Sequence, residues 1–179
     1  MYNKQELIKE LNRGKEFSYI YFWGHRQKEK NLIDKSCLSQ WFPSQFIVEG
    51  DKYLTAEHYM MAQKAKLFGD SDVFEQILYV KTPKEAKDLG RKVRFFDVSV
   101  WENKAFDIVV KGNFEKFSQN KPLKNFLIET YPQILVETSP VDKIWGIGLA
   151  QDNKKVNNPS EWKGENKLGF ALMQVRDMF

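Results

Sequence analysis

The sequence predicts an α+β fold, a single compact domain of about six helices around a small sheet, and three observations carry that prediction. Strand-like runs, four or five and all short, are confined to residues 18–54 and to Ile134-Leu135-Val136-Glu137. Between and after them, apolar residues recur at helical spacing. The 179 residues are 42% hydrophobic and 15% aromatic, enough to bury one sizeable core.

Taken in order, Asn3 to about Arg13 reads as a helix with Leu7, Ile8 and Leu11 on one side and Gly14 as its stop. Residues 1–16 are therefore expected to be an N-terminal helical extension ahead of a domain spanning 17–179. Ser18 to Trp23 is β-branched and aromatic and reads as a strand ended by Gly24, followed by a polar loop over residues 25–36. Gln45–Val48 and Lys52–Leu54 flank Glu49-Gly50-Asp51 and predict a hairpin. The stretch TAEHYMMAQKAKLF, Thr55 to Phe68, is strongly helical, and a second helix runs from about Ser71 to Val80. Thr82-Pro83-Lys84-Glu85 is a capping box with proline in the first turn, and its helix should end near Gly90. Ser99 to Glu102 repeats the box pattern before a helix striped with Phe106, Val109, Val110, Phe114 and Phe117. A short helix over Lys121 to Tyr131 stops at Pro132, the strand near 135 follows, and Leu168 to Phe179 closes the chain as a helix. There is no internal repeat.

Composition narrows the chemistry. The net charge is only +4 with a pI near 9.0, and lysines are scattered among acids, which permits an anionic ligand without announcing a nucleic-acid protein. One cysteine, Cys37, rules out an internal disulfide, and one cysteine with two histidines makes a poor set for a structural zinc site. With no apolar signal core and no run of membrane-spanning length, a cytoplasmic protein with no membrane partner is expected.

The chemistry-bearing residues sit in four separated pieces: TAEHYMMAQKA, LGRKV followed by Trp101, VDKIWGIGL, and EWKGENKLGFALMQVR. On the first, Glu57 and Lys64 lie two turns apart on one side of a helix and can face the same cavity; spacing alone favours a solvated surface pair, and the other pieces of the chain have to shift that reading. In this combination and order the chain resembles the NADAR superfamily, the group that contains the bacterial riboflavin-intermediate N-glycosidases. The resemblance covers about Tyr21 to Phe179. The segment Cys37 to Phe46 departs from the family's usual aromatic pattern there.

The resemblance implies a NADAR fold and a hydrolase of N-glycosidic bonds to ribose, acting on phosphoribosylamino-pyrimidine intermediates of riboflavin biosynthesis or on ADP-ribose carried by guanine in nucleic acid. A non-catalytic nucleotide-binding module is the alternative from another class. Carried over position by position, the resemblance implies Glu57, Lys64 and Asp142 as catalytic residues, and Trp101, Trp145, Gly146, Gly164 and Asn166 as substrate-binding residues. The chemistry suits them. Breaking a C1′–N bond builds positive charge on the sugar, which a nearby carboxylate stabilises more in the transition state than in the ground state. Glu57 would position or deprotonate water, and Asp142 would stabilise the sugar or orient Glu57. Lys64 would form an imine with the opened sugar or hold a phosphate. The two tryptophans offer faces for a base. Each residue also has a plainer reading: Trp101 as a core plug, Asp142 as a loop cap after Pro140, Gly164 and Asn166 as a turn, His58 as a structural hydrogen-bonding partner, and Arg91 and Arg94 as surface charges or phosphate ligands.

Overall fold

The computed structural model describes residues 2–29 and 32–179; Met1 lies outside the described residues, as do Lys30 and Asn31 in the expected polar loop. In chain order the elements are α1 (Lys4–Asn12), β1 (Tyr19–Phe22), β2 (Phe46–Val48), β3 (Asp51–Tyr53), α2 (Ala56–Leu67), α3 (Ser71–Tyr79), α4 (Pro83–Gly90), α5 (Val98–Ser118), α6 (Lys121–Glu129), β4 (Ile134–Glu137) and α7 (Lys167–Arg176). The fold is α+β, with seven α-helices among the described residues, one more than the sequence tally. The strands form two separate pairs. No helix among the described residues is long and apolar enough to cross a membrane. The chain sorts into two compact units, Gln40–Lys124 and Met1–Ser39 with Asn125–Phe179.

In the Gln40–Lys124 unit, β2 and β3 pair antiparallel with Phe46 opposite Tyr53. Glu49 and Gly50 turn the hairpin with φ of 55° and 91°, the positive pair that suits the twist of the two strands. Thr55 then caps α2, its side chain accepting from the His58 N–H. This helix is buried from Ala56 through Ala62 and again at Ala65, with α3, α4 and α5 packed against it. Two glycines permit that approach: a Cβ at Gly90 would stand 2.2 Å from the Met61 sulfur, and one at Gly112 would stand 2.4 Å from the Tyr59 ring. The Thr82–Glu85 box forms as expected. At α5 the cap is Asp97 rather than Ser99: Asp97 Oδ1 accepts from the N–H groups of Ser99 and Val100 and from the Ser99 hydroxyl, at 2.8, 3.0 and 2.6 Å.

In the other unit, β1 and β4 are parallel, Tyr19 beside Ile134 through Phe22 beside Glu137. The pairing continues through Ile134 N–H to the Ser18 carbonyl and Thr138 N–H to the Phe22 carbonyl, each 2.9 Å. Helix α7 packs against β4, close enough that a Cβ on Gly169 would lie 2.0 Å from the Leu135 carbonyl oxygen. Helix α1 belongs to this unit. Leu7 is fully buried, Lys4 Nζ donates to the Trp162 carbonyl at 2.8 Å, and the Tyr2 hydroxyl donates to Asp177 at 2.8 Å.

Candidate active site

Glu57 is the second residue of α2, where the helix N-terminus favours negative charge, and it is only 5% exposed. The solvated-surface reading of this acid is therefore excluded. Its position is fixed from outside the helix: the Glu57 N–H donates to the Gln40 carbonyl at 3.0 Å. Gln40 is held in turn by Asn113, fully buried on α5, whose Nδ2 donates 2.8 Å bonds to Gln40 Oε1 and to the Val109 carbonyl. His58 has the structural role its position implied. Its Nδ1 meets Thr55 Oγ1 at 2.8 Å, and burial lowers its pKa, against the opposing pull of the Val80 main chain and Glu85.

Two turns along α2, Lys64 is half-buried. Its Nζ donates to the Gly90 carbonyl at 2.8 Å and stands over two rings, 4.1 Å from the Phe96 centroid and 5.6 Å from that of Trp101. Burial pushes the Lys64 ammonium below its usual pKa, which raises the share of neutral, nucleophilic amine at a given pH. Trp101 lies in the first turn of α5, half-buried, so its ring is not a core plug. Arg94 is committed elsewhere: Nη2 and Nε grip Asp70 at 2.6 and 3.1 Å, and Nη2 also reaches Asp72 at 2.7 Å. Arg91 lies at the surface, 3.4 Å from Asp88.

The second group of sequence-predicted residues lies in the other unit and is of a different kind. Asp142 Oδ1 accepts from the N–H groups of Ile144 and Trp145, both at 2.8 Å, so this carboxylate caps its own loop. Trp145 is half-buried. Asn166 is fully buried with φ 56°, and its amide lies along β4, Nδ2 donating to the Leu135 carbonyl at 2.8 Å and Oδ1 accepting from the Glu137 N–H at 2.9 Å. Helix α7 has no side-chain cap; the Ile144 and Trp145 carbonyls accept its Lys167 and Leu168 N–H groups at 3.2 and 3.1 Å. Gly146 and Gly164 allow the two loop segments to touch. A Cβ on Gly164 would stand 2.3 Å from the Gly146 carbonyl oxygen, and one on Gly146 would stand 3.0 Å from that of Glu137. Asn166, Gly146 and Gly164 thus hold the main chain on both sides of Trp145.

The structure brings Lys64 and Trp101 together and adds Phe96, which the sequence reading passed over. The signal for it was the Phe95-Phe96 pair shortly before Trp101. Gln40 and Asn113, the supports behind Glu57, carried no sequence signal. Among the described residues no three His, Cys, Asp or Glu side chains are grouped as a metal site.

Comparison with known proteins gives a consistent result. The NADAR domain family matches residues 21–179. An N-glycosidase of Acanthamoeba polyphaga mimivirus is 44% identical over 165 residues, covering 89% of this chain and 95% of that protein. The N-glycosidase YbiA of Escherichia coli is 33% identical over 130 residues, 73% of this chain and 72% of that one. The NMR structure of E. coli YbiA superposes with a TM-score of 0.72 at 28% identity, covering 92% of this chain and 86% of that chain.

Proposed function

This chain belongs to the NADAR family, and from that premise we propose that its substrate is a phosphoribosylamino-pyrimidine of the kind formed early in riboflavin biosynthesis. The protein is a hydrolase of N-glycosyl bonds, as its N-glycosidase relatives are named. The observation that carries the catalytic assignment is helix α2, which presents a buried acid, Glu57, and a desolvated amine, Lys64, from one rigid element. A site on a packed helix is held more firmly than one on a loop, which suits chemistry that depends on placing a charge beside a developing cation.

In this reading Glu57 accepts a proton from the attacking water as the C1′–N bond lengthens, and its negative charge offsets the positive charge growing on the sugar. The base leaves with the bonding electron pair and takes up a proton. Lys64 offers a second route: its neutral amine attacks C1′ as the base departs with a proton, the sugar ring opens at the C1′–O4′ bond to give an imine, and water hydrolyses the imine to free the sugar phosphate and restore the amine. The Trp101 face stacks on the base, an interaction worth about 1–3 kcal/mol. Asp142, Gly146, Gly164 and Asn166 shape the loop that carries Trp145. The substrate is a small phosphoribosyl molecule met in the cytoplasm, and no cofactor enters the reaction.

The test is a paired turnover assay on 5-amino-6-phosphoribosylamino-uracil and on an oligonucleotide carrying ADP-ribosylated guanine, with Glu57→Gln as control. Release of ribose 5-phosphate from the first, lost in the variant, is the expected result. Release of ADP-ribose from the second alone would move the substrate to nucleic acid, and silence on both would leave a binding module.

A further inference from the structure

Phe95 combines two features that a bulky apolar residue ordinarily avoids: its φ is 57°, and 81% of its surface is exposed. In the left-handed region a side chain crowds its own backbone, which is why Gly, Asn and Asp predominate there. A benzyl group left in water gains nothing from burial. Packing of its own ring therefore does not explain the conformation, and the neighbours must impose it.

They do so from both sides. Before it, the Arg94 N–H donates to Asp70 Oδ2 at 2.8 Å while the Arg94 guanidinium grips both oxygens of the same carboxylate. Asp70 is fully buried and also caps α3 through the Val73 N–H, so this anchor belongs to the junction of α2 and α3. After it, Phe96 meets Phe68 edge to face at 5.2 Å, and Asp97 caps α5. Phe95 is the raised point of a segment fastened at each end. Its chain neighbour Phe96, 44% exposed, and Trp101 are the two rings beside the Lys64 amine.

We propose that Phe95 is a specificity-determining residue: it extends the aromatic wall of Phe96 and Trp101, and the flat leaving base of the substrate stacks on it while the sugar lies toward Lys64. Arg94 is its positioning residue, acting through the main chain. This rests on the N-glycosidase reading given above and adds to it how the base is selected.

The test compares the full-length protein with Phe95→Ala, Phe95→Trp and Arg94→Gln, measuring kcat and KM on 5-amino-6-phosphoribosylamino-uracil and the inhibition constant of ribose 5-phosphate, which lacks the base. Phe95→Ala is expected to raise KM about ten-fold or more, leave inhibition by ribose 5-phosphate unchanged, and keep the melting temperature, because the ring is exposed. Phe95→Trp should restore KM, and Arg94→Gln should raise it in the same direction. An unchanged KM in Phe95→Ala, or an equal weakening of ribose 5-phosphate, would overturn the assignment. If the wild-type protein fails to hydrolyse this substrate, the substrate reading fails separately. The same variants are then compared for binding of guanosine, and binding indifferent to Phe95 would overturn the stacking role.

Discussion

The α2–α5 region and the 142–166 loops each carry motif residues, yet they use their polar groups in opposite ways. Around α2, the acid and the amine are supported by main-chain contacts at their bases or tips, and two aromatic rings flank the amine with part of their surface open. In the loops, the amide of Asn166 and an oxygen of Asp142 bind backbone, and the glycines are spaces that backbone fills. In the reaction proposed above, a motif residue in the first region acts through its side chain. One in the second fixes where the chain runs.

That contrast predicts which variants lose turnover and which lose stability. Glu57→Gln should produce the largest effect, lowering turnover about 10²- to 10⁴-fold, the usual contribution of a general base, while the urea midpoint barely moves. A variant that unfolds instead would make Glu57 a structural acid and erase the contrast. Asn166→Ala should do the reverse. It leaves the Leu135 carbonyl and Glu137 N–H without their partner, at about 1–3 kcal/mol for each orphaned group, with turnover per folded molecule largely kept. Should Asn166→Ala stay stable and lose activity, the loop residue is touching substrate. Asn113→Ala lies between the two, costing roughly 1–3 kcal/mol by freeing Gln40 and raising the population of misplaced Glu57; a fall in kcat beyond the loss of folded protein would show that coupling.

Smaller effects come from pH. The Arg94 guanidinium and backbone hold the Asp70 carboxyl below its ordinary 3.8, so near that pH the unfolded chain binds more protons than the folded one. The stability this supplies is complete above the ordinary value and drains away as pH falls beneath it. Asp70→Asn should lower stability at neutral pH and flatten the acid limb of an unfolding curve; an unchanged limb would assign acid sensitivity elsewhere. For Lys64, burial lowers the pKa below 10.5, so an imine route predicts kcat/KM rising with pH to an inflection beneath that value. Borohydride should then trap a sugar adduct on the protein, and Lys64→Met should abolish both signals.

Local grammar made much of this fold legible. The Thr82 box, the Glu49-Gly50 turn and the run Ile134–Glu137 each depend on neighbours a few residues away, and each appears within a residue or two of its expected place. At α5 the helix starts earlier than the Ser99 pattern places it, because Asp97 caps it by accepting from the Ser99 and Val100 N–H groups, and a carboxylate is a strong acceptor. The parallel pairing of β1 with β4 joins segments more than a hundred residues apart, and no local pattern specifies it. Burial of α2 was hidden for a related reason: its acid, imidazole and amine obscure the apolar stripe that would mark a helix facing a core on one side, whereas its first two turns are buried on every face. In the candidate site the residue types were legible but not their allegiance. Nothing in the sequence states whether an Asn lends its amide to a ligand or to a strand.

The amide of Asn166 also has a consequence for association. Lying along β4, it occupies the Leu135 carbonyl and the Glu137 N–H as the peptide groups of an adjoining strand would. A pair of strands ordinarily leaves such groups on its flank as a template for pairing with another chain. Here the Asn166 amide and the Ile147 N–H, which donates to the Glu137 carbonyl at 2.9 Å, together close that flank, so this buried asparagine also helps to remove a template for edge-to-edge aggregation.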